Sequence, residues 1–332
     1  MKNAVGAVLD RSSTRSPSPS GSYRGYIYIG AAAVFWGISA SLGRAAFTGR
    51  LLPAGSGIDR VGPLVLSQAR TTFSFLAVLT GLLTTRGWKK LRVPSRDLAR
   101  MVLLGLAGVA VSNYFYYLAI QRTNVATAII VQYTAPVWVL LYMIARGVER
   151  ASWSKAISVF LAIFGIALVI GLFGRGRLQL DTLGVIASLI AAFSFAYYNI
   201  DGHSILTRYD PWIVLLYTTL SSSVFWTLLD PPNKVIAAHF SPAVWIFLFT
   251  FAVTSVLIPF VFYFAGLQHL KPTNAIIASC LEPVFTILIA AAALKETVGW
   301  MQALGIMMVL GAIIVVQKQG SAEAQLAAGP VD

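Results

Sequence analysis

Glu282 is an acid in a place where acids are costly. It lies about ten residues into the apolar run from Thr273 to Leu294. A carboxylate at that depth in a membrane span is retained where it meets partner groups or a watery interior. Ser279 stands three residues before it and Thr286 four after, a spacing that puts all three on one polar helix face. Loss of water disfavours the charged form of a carboxylate, so an acid held there suits proton coupling or the binding of a cationic amine. A structural carboxylate hydrogen-bonded between helices is the competing reading of the same residue.

Two prolines, Pro136 and Pro283, fall in the middle of apolar runs. Each lacks an N–H and crowds the preceding turn, so the carbonyls of Gln132 and Ser279 are expected to lose their helical partners and become available to water, a side chain or a solute. A static kink used for packing is the plainer alternative for either proline alone, and their pairing argues for hinges. Gln132 and Tyr133 stand beside Pro136 and are the polar groups best placed to join such a site. Arg70, about nine residues into its run, is expected to be a partly snorkelling arginine bonded to neighbouring helices, with a counter-charge to a carboxylate-bearing solute as the alternative. Asp201 and His203 read as a solvated helix terminus, with an inner gate as the alternative.

Several chemistries are excluded. The single cysteine, Cys280, cannot form an intramolecular disulfide, and His203, His239 and His269 are too far apart in sequence for metal-ligand spacing. No phosphate-binding loop, zincin or nucleophile-elbow motif occurs, so neither a nucleotide engine nor a hydrolase nucleophile is expected, and no cofactor. The 332 residues are 57% hydrophobic and 11% charged, with a formal net charge of +13. A soluble domain carries about 25% charged residues, so this chain belongs in a bilayer. The basic residues fall between the apolar runs as loop charges, which sets nucleic acid aside as a partner and leaves membrane lipid.

The elements that must position these residues are helices. Ten apolar runs approach the roughly 20 residues that a membrane span needs, from Gly25 to Phe47 through to Val298 to Val316. Runs such as Ala156 to Leu172 are apolar on every side, which rules out the alternation of a barrel strand. The segment 1–24, rich in Ser, Pro and Arg, and the segment 317–332 are expected to be disordered cytoplasmic tails. Lys and Arg concentrate on the side of the chain termini, above all in the loop between runs 2 and 3, so both termini are expected in the cytoplasm.

Shifting the chain by 147 residues places FYYLAIQRTNVATAIIVQYTAPV from Phe115 over FYFAGLQHLKPTNAIIASCLEPV from Phe262, and continues to Glu149 over Glu296 and Trp153 over Trp300. The chain is therefore expected to be a duplication of five-helix units, 25–172 and 183–316. An odd helix number forces the second unit to cross in the opposite sense. The resulting fold class is an all-α integral membrane protein with ten transmembrane helices as two inverted five-helix repeats. Ala135 faces Glu282 in this register, so a carboxylate at that depth exists once.

FWG at Phe35 to Gly37, Arg70, QYTAPVWVLLYMIARGVE ending at Glu149 and SCLEPVFTILIAAAALKE ending at Glu296 together resemble the EamA-type transporters of the drug/metabolite transporter superfamily, over roughly Tyr26 to Gln317. The resemblance implies that helices 1, 3, 4, 6, 8 and 9 surround a central cavity, with helices 5 and 10 peripheral and available for homodimer contacts. On those cavity helices the candidates for solute binding are Trp36 with Ser39, Asn113 with Tyr116 and Tyr117, Gln132 with Tyr133, Tyr197, Tyr198 and Asn199, Tyr263, and Ser279, Glu282 and Thr286. For most single aromatics, packing is the ordinary role. The implied function is not an enzyme's. It is a secondary transporter, expected to export small metabolites such as amino acids or amines by alternating access, coupled to protons through Glu282, in a bacterial inner membrane. A membrane-embedded enzyme acting on lipid or isoprenoid, and a receptor or assembly protein without turnover, are the alternatives.

Overall fold

The computed structural model describes residues 19–47, 61–123, 125–172, 181–230, 235, 237–294 and 297–328. Among these residues there is no strand. The helical rods are α1 Pro19–Phe47, α2 Pro63–Arg86, α3 Ser95–Arg122, α4 Val125–Gln132 continued by Ala135–Ala145, and α5 Trp153–Val169. They continue as α6 Thr182–Leu206, α7 Pro211–Leu229, α8 Pro242–Leu267, α9 Pro272–Ser279 continued by Leu281–Leu294, and α10 Trp300–Ala328. In an apolar medium only intrasegment hydrogen bonds can satisfy the backbone, which is why runs of this composition become helices. Local chemistry sets their starts. Proline occupies the first turn of α2, α7, α8 and α9, where its missing N–H costs nothing. The Asp181 and Asp210 carboxylates accept from the Gly184 and Trp212 amides at 2.9 and 2.8 Å.

Eight of these rods are long and apolar enough to cross a membrane; the expected ten are not all met by this measure. α5 has 17 residues, about a turn short of the ~20 required. It ends where Gly171, at φ 75°, closes the helix in the left-handed conformation. α2 is long enough, but Gln68, Arg70, Thr71 and Thr72 interrupt its apolar run. The tails also differ from expectation. Helix begins at Pro19 rather than Gly25, with proline preset for a first turn, and continues through 317–328, where Ala, Gln, Glu and Leu are strong helix formers. Residues 1–18 and 329–332 lie outside the described residues, as do Lys295 and Glu296.

The largest helix pairings are kept when α1 to α5 are exchanged with α6 to α10. α1 packs on α8 and α9 as α6 packs on α3 and α4; α3 meets α7 as α8 meets α2; α2 pairs with α7, and α5 with α10. Local irregularities repeat too. π-helical stretches occupy Leu104–Ala110 in α3 and Val253–Leu257 in α8, which overlap under the 147-residue shift. The freed carbonyls of such stretches take side-chain donors: Gly105 accepts from Ser222 at 2.9 Å and Ser255 from Trp36 at 3.2 Å. Small residues allow the closest approaches. A Cβ on Gly305 of α10 would stand 2.5 Å from the Gly165 carbonyl oxygen of α5, so these helices meet backbone to backbone.

One end of the bundle collects the charges. Arg86 pairs with Asp210, Arg100 with Asp201, and Arg208 with Asp97 at 2.9 Å. This is the end at which α2, α4, α6 and α8 finish.

Candidate functional site

The broken helices α4 and α9 define the centre of the molecule. In α4 the helix lapses at Tyr133 and Thr134, with Thr134 N–H turned to the Val131 carbonyl at 3.1 Å, and resumes with Pro136 in its first turn. In α9 it lapses at Cys280, whose N–H reaches Ile277 at 3.1 Å, and resumes at Leu281 with Pro283 in its first turn. Cys280 stands over Tyr133 under the 147-residue shift. Both prolines therefore break their helices in the same place, as expected for residues that lack an N–H.

Glu282 lies in the first turn of the resumed α9, where the free amides and dipole of a helix N-terminus favour a negative group. Its Oε2 accepts the Tyr133 hydroxyl at 3.1 Å, so the two breaks meet through a charge-assisted hydrogen bond. Tyr116 of α3 and Arg70 of α2 lie within electrostatic reach of Glu282. Glu282, Tyr133 and Tyr116 sit deep among protein atoms, and each still keeps accessible surface. Together these properties describe residues lining an interior recess. Arg70 is only half-buried and its Nε has no hydrogen-bond partner. It is a cation within electrostatic reach of the central carboxylate.

The remaining candidates divide. Trp36 donates to the Ser255 carbonyl and its ring stands 5.3 Å from that of Tyr263. The neighbouring Gly37 admits α9 closely, since a Cβ there would fall 2.9 Å from the Thr286 amide nitrogen. Ser39 and Thr286 spend their hydroxyls on their own helices, at 2.9 Å to the carbonyls of Trp36 and Glu282. Asn113 does likewise with Val109, and Ser279 with Ile276. The expected polar face of Ser279, Glu282 and Thr286 is thus split by the break, and Ser279 turns toward Tyr263. Gln132 reaches Ser112 at 3.5 Å. Tyr117 is half-buried with its ring beside Tyr116.

Three residues of α6 leave the central group. Tyr197 donates to Asp201 at 3.3 Å, within the Arg100 ion pair. Tyr198 is buried in an aromatic stack with Phe260, Tyr263 and Phe264. Asn199 accepts from Tyr263. Asp201 and His203 are correspondingly engaged, His203 with the Leu267 carbonyl at 2.7 Å, rather than solvated. At the same end, Asp97 accepts from Tyr209 at 2.7 Å, which pushes the Tyr209 phenol above its ordinary range and keeps it a donor at neutral pH.

Sequence reasoning missed one pair. Glu149 and Lys155 meet at 2.8 Å with side chains 0% and 3% exposed, near Tyr26 and His203. Glu149 is visible as the acid closing the QYTAPVWVLLYMIARGVE stretch of the first repeat, but nothing in its spacing announces a buried lysine partner. A cavity of about 570 Å³ between α4 and α5 is lined by Ile130, Val137, Phe160 and other apolar residues, and offers a polar solute nothing to bind.

Fold and site thus define an all-α integral membrane protein with an acid between two helix breaks in its core. The chain matches the EamA-like transporter family over residues 23–171 and again over 182–317. It belongs to that family, and it is a membrane transporter of the drug/metabolite transporter superfamily. Similar proteins include an uncharacterized transporter of Archaeoglobus fulgidus, 25% identical over 77% of this chain and 87% of its own. An uncharacterized inner membrane transporter of Salmonella typhimurium, YicL, is 20% identical over 70% of this chain and 77% of its own. A crystal structure shares the fold with a TM-score of 0.70 at 16% identity, covering 91% of this chain and 98% of the other.

Proposed function

We propose that the chain is a secondary active transporter that exports small amine-bearing metabolites by alternating access. Its ten helices cross the membrane as two inverted five-helix repeats, with both termini in the cytoplasm of a cell whose inner membrane holds it. The Glu282 carboxylate, bonded to Tyr133 across two helix breaks and lining an interior recess, is the observation that carries this reading. A carboxylate in that setting binds an ammonium group or a proton, and exchange between the two couples export to proton entry. The exchange-symmetric helix pairing supports two repeats that rock against each other. Arg70, a cation within reach of the same acid, favours solutes that carry both charges, amino acids ahead of simple amines. Homodimer contacts fall to α5 and α10.

Uptake of labelled amino acids, amines, carboxylates and nucleotides into proteoliposomes, with and without an imposed pH gradient, tests the reading. Saturable gradient-driven flux of an amino acid, lost in Glu282→Gln, is the expected result. Flux indifferent to the gradient, with Glu282→Gln fully active, removes proton coupling at this residue.

A further inference from the structure

The largest helix pairings are symmetric under exchange of the two halves, but the contacts between the two groups of central helices are not. α3, α4 and α6 pack together as one body, and α1, α8 and α9 as another. Apart from the central Tyr133–Glu282 hydrogen bond, the packed contacts between these bodies fall at the charged end. There the second half of α4 packs on the first half of α9, with Ala135, Val139, Met143, Ala196 and Ile276 in one buried cluster. α6 meets α8 at the same end. The exchange-related contacts at the opposite end, the first half of α4 with the second half of α9 and α1 with α3, have no comparable packing among the described residues.

The side chains repeat this asymmetry. Tyr263, with no exposed surface, donates to Asn199, also fully buried. Tyr198 stacks on Tyr263 at 5.8 Å. His203 meets the Leu267 carbonyl at 2.7 Å, and the Gln268 amide donates to the Leu206 and Tyr209 carbonyls at 3.0 and 3.2 Å. Under the 147-residue shift Tyr263 corresponds to Tyr116 and Gln268 to Gln121. Tyr116 is half-buried beside Glu282, and Gln121 is exposed.

We propose that the α6–α8 seam, with Asn199–Tyr263 at its centre and Gln268 at its mouth, is the barrier that closes the Glu282 recess toward the charged end. It parts once in each transport cycle, and the chain rests with the recess open to the opposite end. This rests on the alternating-access reading. The seam consists of a few hydrogen bonds and a stack of rings, and such a joint opens without unfolding either body. The ion pairs Arg100–Asp201 and Arg208–Asp97 lie within one body, between α3 and α6, and travel with it.

The test uses spin labels on Thr207→Cys and His269→Cys, at the ends of α6 and α8, in full-length protein with Cys280→Ala in liposomes. A mainly short distance with a minor long one is expected. Tyr263→Phe, and independently the exposed Gln268→Ala, should raise the long population about two- to tenfold, the effect of losing one or two hydrogen bonds. A control pair within one body, Arg96→Cys with Thr207→Cys, should keep a single distance throughout. A Thr207–His269 distance that neither variant shifts, or a control pair that lengthens equally, overturns the proposal. Oxidising the Thr207→Cys, His269→Cys pair to a disulfide should stop flux until a reductant is added, and undiminished flux in the locked protein overturns the proposal too. If wild-type liposomes move no solute, the transport reading fails, while the distances still decide whether the seam opens.

Discussion

At the break in α4 the chain places Tyr133, Thr134 and Ala135 ahead of Pro136; at the break in α9 it places Cys280, Leu281 and Glu282 ahead of Pro283. The backbones behave alike, each lapsing before its proline and restarting with that proline in the first turn. The side chains do not. At α4 the Thr134 hydroxyl is used locally, donating to Val131 at 2.7 Å and accepting from Trp138 at 3.2 Å, while Tyr133 reaches out of the helix. At α9 the one charge is met from across the bundle by Tyr133. Duplication supplies two equivalent breaks, and divergence has put the acid on one and its hydrogen-bond donor on the other. The site is therefore asymmetric although the frame is not.

Moving the charge breaks the comparison most severely. Glu282→Gln should lower gradient-driven flux by about tenfold or more, because an amide neither carries a proton through the cycle nor offsets an ammonium group. Installing the acid on the other break, Ala135→Glu with Glu282→Ala, should fail to restore it, since the phenol donor would then stand on the same helix as the acid. Recovery of flux in that double variant would show the two breaks to be interchangeable.

The prolines come next. Pro283→Ala lets α9 close its helix through the Glu282 turn and should reduce flux several-fold, whereas Pro136→Ala, with no charge on its own break, should cost less. Initial rates for the two variants side by side check this, and equal losses would mean that the breaks serve packing alone. Tyr133→Phe is smaller again. It removes one charge-assisted hydrogen bond of about 1.5–3 kcal/mol and, with water able to enter the recess and replace the donor, should weaken apparent solute affinity about threefold. Saturation curves read that change, and an unaltered curve would detach Tyr133 from the site. Least of all should follow from Arg208→Ala, which opens an ion pair whose arginine is 42% exposed. Such pairs contribute about 0–1 kcal/mol, so flux and thermal midpoint in detergent should both stay near wild type.

Much of the frame is legible in the sequence because it depends on local properties. Apolar runs became helices, and the 147-residue shift located both helix breaks and, without announcing them, the overlapping π-helical stretches. Glu282 stood out because burying a charge is expensive wherever it occurs. Legibility declined where the role depends on what lies opposite. Tyr197, Tyr198 and Asn199 are adjacent polar residues on one helix, yet one joins an ion pair, one an aromatic stack and one a buried hydrogen bond across to α8. Helix rotation sends neighbours in sequence about 100° apart, and no residue type states which neighbour it will find. Arg70 shows the same limit: its distance from the helix end is a sequence property, whereas its electrostatic reach to Glu282 belongs to the packing of α2 within the bundle.

The sequence by itself determined that this chain is a helical membrane protein, that it carries an internal repeat, where two of its helices must break, and that only one of the two breaks carries an acid. Hydropathy, register and proline geometry are carried by residues close together along the chain, and no partner is needed to read them. Only the tertiary structure decided that the acid meets a phenol from the other repeat, that Arg70 lies within its electrostatic reach, and that, among the described residues, the helix packing between the two bodies falls at the charged end. Those facts rest on contacts between residues 60 to 220 positions apart, whose energies exist only once the helices have packed.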